Sequence, residues 1–141
     1  MRNLLIFLGI YHLALGLLMV VAPGTFFEEL ASYGVQNDHY IRDNATIYLA
    51  LGIAFLVAAG RPSWRLPVLA LAGLQYVLHV INHAFDVSET EPSWHGPANL
   101  IGLALLCLLI AYLWRQLEKS ETSRGLTPPD PRGTWPGEEG S

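Results

Sequence analysis

Residues 66 to 86 read LPVLALAGLQYVLHVINHAFD, and how that stretch can be accommodated decides the fold. From Leu66 to Ala84 it holds no Asp, Glu, Lys or Arg. At 1.5 Å per helical residue it crosses most of a hydrocarbon layer about 30 Å thick. Three more stretches share this character: Leu4 to Ala22, Ala45 to Gly60 and Ala98 to Trp114. A spanning helix needs about 20 apolar residues, with a range of roughly 17 to 25, so four spans are predicted, the second being the shortest. A soluble four-helix bundle would place a charged face on every helix, and these runs have none. The composition agrees, with 52% of the 141 residues hydrophobic and 14% charged, well under the roughly 25% charge of ordinary soluble domains.

The first run follows Arg2 and ends on a small residue, Ala22, as a secretory signal would. Its apolar stretch exceeds the roughly 7 to 15 residues of a signal core, and Pro23 would follow the cut, so it reads as a span. The basic residues set the orientation. Arg2, Arg61, Arg65, Arg115, Lys119, Arg124 and Arg132 lie at the chain ends or between the second and third spans, whereas the other two connections hold only Arg42. Seven against one is the positive-inside pattern, which predicts a multi-pass protein of the cell membrane with both termini cytoplasmic. The outer connections carry Glu28, Glu29, Asp38, Asp43, Asp86, Glu89 and Glu91. With an acidic outer surface, nucleic acid is not an expected partner; the lipid bilayer is. The single cysteine, Cys107, lies in the fourth span and reads as a small hydrophobe.

The expected architecture is an all-α, integral membrane four-helix up-down bundle over residues 1–115, with spans at about 4–22, 44–60, 66–85 and 97–114. Between the first two, Pro23-Gly24 followed by Thr25 and Glu28 at capping-box spacing predicts a short interfacial helix bearing Phe26, Phe27, Leu30 and Tyr33 and ending near Gly34. Asp43 or Asn44 can cap the second span. The short turn from Arg61 to Arg65 makes the second and third spans antiparallel neighbours, with Ser63 or Leu66 as cap so that Pro67 falls in a first turn, where amide hydrogens are unpaired anyway; Pro97 opens the fourth span likewise. Residues 116–141 read as a disordered cytoplasmic tail, since Ser120 to Ser141 holds four prolines, four glycines and no apolar periodicity. A docking peptide using Pro128, Pro129 and Trp135 is the alternative there.

No Gly-rich phosphate loop, serine nucleophile elbow or paired-cysteine metal site is present, so most soluble enzyme chemistries lack support. What chemistry there is gathers on the third span. Gln75, His79, Asn82, His83 and Asp86 fall within an arc of about 100° on a helix, while Tyr76, Val77, Leu78, Val80, Ile81, Ala84 and Phe85 cover the rest. Such a stripe would leave polar groups unsatisfied against lipid, so it is expected to face into the bundle. Asn44 and Tyr48 of the second span and Asn99 of the fourth offer partners at similar depth. Ala50, Ala54 and Ala58 form a small-residue ridge for close helix approach. His12 shares a face with Gly9 and Gly16 and would floor a pocket in the outer half, since His79 sits about 20 Å and His12 about 12 Å from the inner ends of their helices. His39 and His95 are expected to be solvated; Trp64, Trp94, Trp114 and Tyr40 fit aromatic belts.

The stripe has a bland reading, interhelical hydrogen bonds that fix register, beside two functional ones. It can line a small-molecule, lipid or quinone pocket. Alternatively His79 and His83, at i and i+4, can hold a metal or, with His12 opposite, a haem; the zinc-protease glutamate is missing from His79-Val-Ile-Asn-His83, and a lone His12 is ordinarily a hydrogen-bonded core histidine.

Three motifs carry a resemblance: Gly-x-Tyr-His-Leu-x-Leu-Gly-Leu over residues 9–17, residues 37–43 from Asn37 to Asp43, and His79-x-x-Asn82-His83-x-x-Asp86. Over about residues 4 to 114 the chain resembles small four-helix membrane proteins of actinobacteria in the broad DoxX-like group. The resemblance implies a four-helix topology, and some such proteins are similar to subunits of membrane oxidoreductase assemblies. The leading expectation is a non-catalytic membrane subunit or small-molecule or lipid-binding module. The rivals are a redox component carrying haem, metal or quinone at His79, His83 and His12, and a structural partner in a membrane complex or homo-oligomer, using the alanine ridge and Ala98 to Gly102 as contacts.

Overall fold

The computed structural model describes residues 1–122, and apart from one isolated bridge between Tyr33 and Thr90 its ordered elements are helical. Five α-helices follow in order: α1 (Arg2–Val21), α2 (Pro23–Leu30), α3 (Asp38–Gly60), α4 (Arg65–Phe85) and α5 (His95–Thr122), with a 3₁₀ turn at Pro62–Trp64 before α4. Four of them are long and apolar enough to cross a membrane, the make-up of a multi-pass membrane protein.

The helix ends correct the expected boundaries. α2 begins with Pro23 at its first position and has no side-chain cap, so the Thr25–Glu28 capping box does not form; proline fills a position whose amide hydrogen would be unpaired in any case. α3 begins at Asp38, not near Asn44, because the Asn37 side chain accepts a hydrogen bond from the Tyr40 amide at 3.1 Å. Neither Asp43 nor Asn44 is a cap. The added turns expose charge along one face, where Arg42 and Asp38 approach to 3.8 Å and His39 and Asp43 to 3.4 Å, pairs of small worth in solvent. α4 follows the 3₁₀ turn with Trp64 as its N-cap residue and no side-chain cap, so neither Ser63 nor Leu66 serves. α5 runs past Trp114 to Thr122, its polar last turns including Arg115 and Lys119. The part of the tail from residue 123, with Pro128, Pro129 and Trp135, lies outside the described residues.

The helices associate as two close pairs. Along α1 and α3, a Cβ at Gly9 would lie 2.7 Å from Leu56 and 3.0 Å from the Gly52 carbonyl oxygen, and one at Gly52 would lie 2.7 Å from Leu13 and 3.0 Å from the Gly9 carbonyl oxygen. Further along, Gly16 meets Leu49. Rising numbers on α1 meet falling numbers on α3, so the pair is antiparallel. The close approach therefore runs through Gly52, whereas of the expected alanine ridge Ala50 is exposed, Ala54 half-buried and only Ala58 buried. The second pair is α4 with α5, which meet along Gly73 and Ile110.

One apolar core joins the pairs. Leu5 and Leu8 of α1, Phe55 and Ala58 of α3, Leu69 and Ala72 of α4, and Ile110, Leu113 and Leu117 of α5 belong to it, with Tyr76 its last member along α4. A second, separate cluster of Met19, Ile41 and Ala45 with Phe26, Phe27 and Tyr48 ties α2 to the C-terminal half of α1 and the N-terminal half of α3. Among hydrocarbon chains such cores gain little transfer free energy, since lipid is as apolar as leucine; their gain is close packing.

Candidate functional site

The site is built from the core outward. His12 is fully buried on α1, and its Nδ1 lies 2.7 Å from the Leu8 carbonyl oxygen. A carbonyl can only accept, so Nδ1 carries the proton and Nε2 is the acceptor. The Tyr76 hydroxyl donates to that Nε2 at 2.5 Å. Aromatic rings enclose the imidazole, with centroids of Phe55 at 5.1 Å, Tyr11 at 5.3 Å, Tyr76 at 5.7 Å and Tyr48 at 6.0 Å. A residue assigned by its ring to the apolar side of α4 thus supplies the donor that satisfies His12.

From Tyr76 the inward line of α4 continues at helical spacing to His79 and His83. The two imidazoles meet edge to face, 4.6 Å between centroids. His83 Nδ1 and the Tyr33 hydroxyl share a hydrogen bond of 2.8 Å. Among the described residues His79 has no hydrogen-bond partner, only its ring contact with His83. At this level the first apolar core has ended, and Asn44, Tyr48, His79 and His83 are half-buried whereas Leu69, Ala72 and Tyr76 are buried. Asn44 uses its amide on the Tyr40 carbonyl oxygen at 3.0 Å. Asn99, half-buried, donates to the Leu30 carbonyl oxygen at 2.7 Å and ties the start of α5 to the end of α2.

The stripe does not hold together as a single wall. Gln75 and Asn82 each lie about 100° around the helix from an inward neighbour, Tyr76 and His83. Gln75 is half-buried, while Asn82 and Asp86 are exposed. Within the chain Asn82 and Asp86 are thus not enclosed, contrary to expectation, and the inward face is set by Ala72, Tyr76, His79 and His83. His95 departs from expectation in the other direction. It is 6% exposed and shares a 3.0 Å hydrogen bond with buried Ser32. Beside it the Gly96 amide donates to Thr90 Oγ1 at 3.0 Å, and a Cβ on Gly96 would run into the Val87 carbonyl oxygen. With the Tyr33–Thr90 bridge, these contacts join the two connections 31–37 and 86–94 into one cap. His39 is exposed, as expected.

What the arrangement offers a ligand is hydrogen bonding from imidazole, hydroxyl and carboxamide groups. His79 and His83 gain no third His, Cys, Asp or Glu in a cluster that could hold a metal ion among the described residues. Both nitrogens of His12 are engaged, so a haem iron there would displace either Tyr76 or the Leu8 carbonyl. A separate groove of about 380 Å³ lies between α4 and α5, lined by apolar side chains such as Leu69, Val77 and Ile110, and none of the sequence-nominated residues reaches it.

Comparisons with protein-family models, with curated proteins and with solved structures return no match to this chain.

Proposed function

We propose that the chain is a multi-pass protein of the cell membrane, its four spans in up-down order and both termini cytoplasmic, that holds a small molecule or lipid headgroup between its two helix pairs without transforming it. The distribution of basic residues supports the orientation, and the resemblance to the DoxX-like group fits the same architecture. The observation that carries the binding role is His79. It is half-buried on the inward line of a spanning helix, above the sealed His12–Tyr76 level, and its hydrogen-bonding capacity is unused. Polar groups at such depth need a partner.

Native mass spectrometry on protein released from lipid nanodiscs, with an absorbance spectrum of the same preparation, tests this reading. Wild type is expected to carry an adduct near one per chain, and His79→Leu to lose it while remaining folded. No adduct on wild type, or equal adducts on both, overturns it. The contact between His79 and His83 favours one rival, a redox component. Soret absorbance or stoichiometric metal would establish that rival in its place, and a quinone adduct would point to a redox role.

A further inference from the structure

Leu69, Gly73 and Val77 of α4 face α5, and Ala72 and Tyr76 face the core. Between the core face and the exposed Leu74 and Ile81 runs an edge that carries Leu71, Gln75, Leu78, Asn82 and Phe85, spaced 4, 3, 4 and 3 residues apart. Leu71 is 62%, Leu78 56% and Phe85 81% exposed. Asn82 is exposed and Gln75 half-buried, and neither has a hydrogen bond among the described residues. An average spacing of 3.5 is the seam of a left-handed helix pair, the common packing of membrane helices.

Gln75 is the midpoint of Arg65–Phe85, about 15 Å from either end at 1.5 Å per residue. Lipid headgroups do not reach that depth, and acyl chains offer no donor or acceptor. An unpaired carboxamide there is costly, so its partner is another protein segment. Copies of one chain in one membrane share an orientation, so a two-fold axis runs along the membrane normal and each residue of a central helix meets its own counterpart at equal depth. A carboxamide both donates and accepts, which makes it complementary to itself. Leucine at the intervening positions fills the seam but does not prefer a second copy to lipid; the amides supply the preference.

We propose that two copies of this chain pair in parallel along this edge, with Gln75 against Gln75 and Asn82 against Asn82. The pairing rests on the transmembrane orientation proposed above and not on the ligand-binding role. It places the contact away from both the alanine ridge of α3 and the Ala98 to Gly102 surface of α5.

The test uses the full chain in liposomes, in a Cys107→Ala background, with Leu78→Cys on the seam and Ile101→Cys on α5, where Ile101 is 62% exposed, as control. Mild oxidation is expected to link Leu78→Cys into dimers at lipid dilutions that leave Ile101→Cys monomeric. Adding Gln75→Leu and Asn82→Leu is expected to weaken association about tenfold per amide pair. Both substitutions leave apolar side chains in hydrocarbon, so loss of fold is not the anticipated effect, and the melting temperature checks it. Leu78→Cys dimers no more abundant than Ile101→Cys dimers, with lipid covering the edge, would overturn the pairing. So would dimers insensitive to the leucine pair. Either failure leaves the His79-dependent adduct unaffected, so the two proposals fall separately.

Discussion

The Tyr76 hydroxyl stands 2.5 Å from Nε2 of His12, joining α4 to α1 through two side chains that are 2% and 0% exposed. The bond lies where the apolar core stops and the half-buried polar side chains begin. Tyr76→Phe would leave an imidazole acceptor buried and unpaired, at a cost of about 1–3 kcal/mol. Tyr112→Phe, on an exposed ring, should change little. Denaturation in detergent checks both, and a cycle with His12→Leu should be less than additive, because the leucine removes the acceptor that the first substitution strands.

Glycine substitutions separate close helix contact from mere helix content. Gly52→Ala places a methyl group 2.7 Å from Leu13 and 3.0 Å from the Gly9 carbonyl oxygen, so the α1–α3 pair must part, at about 1–3 kcal/mol. A Cβ at Gly102 has nothing within 4 Å, and Gly102→Ala is expected to stabilise by about 0.5–1 kcal/mol through helix propensity alone. Melting temperatures of opposite sign are the expected outcome.

The cap formed by residues 31–37 and 86–94 should respond as a unit. Gly96→Ala forces the Val87 carbonyl aside and separates the amide of residue 96 from Thr90, with Ser32–His95 adjacent. Hydrogen exchange is expected to quicken across both connections, 31–37 and 86–94, and to remain slow in the α1–α3 seam. Exchange that quickens in the second connection alone would show that the two do not act together.

Tyr33→Phe and His83→Leu remove opposite ends of one hydrogen bond. Tyr33→Phe is expected to cost about 0.5–1.5 kcal/mol and, unlike His79→Leu, to leave the proposed adduct in place. Thermal stability and native mass spectrometry on the same samples distinguish these outcomes.

Apolar runs and their lengths were enough to mark the four long helices, and Pro23-Gly24 marked the short one. Helix ends were not legible in the same way, since hydropathy follows contact with lipid whereas a helix ends where its hydrogen bonds end. Asn37 and the polar turns after Trp114 obey the second rule. The inward direction of α4 was readable at His79 and His83. Hydropathy groups Tyr76 with the apolar residues by its ring and does not register its hydroxyl; it lies three residues before His79 and seven before His83, at the spacing of that inward line. Gln75, Asn82 and Asp86 share the arc by periodicity, but a stripe of that width spans both an inward face and an edge, and only the positions of α1, α3 and α5 divide it. The acidic neighbours of His95 point to solvent; its burial depends on Ser32, 63 residues away, which local pattern cannot report.

The proposed binding role requires that the space beyond His12 and Tyr76 be reachable from the side proposed as outer, while the core around Ala72 stays closed. Cysteine labelling in oriented vesicles tests it most directly, using Tyr48→Cys, His79→Cys and Ala72→Cys in a Cys107→Ala background. A membrane-impermeant thiol reagent is expected to modify the first two from the outer side only and to leave Ala72→Cys untouched from either side. Labelling of Ala72→Cys to the same extent, or modification of Tyr48→Cys and His79→Cys from the inner side, would contradict it.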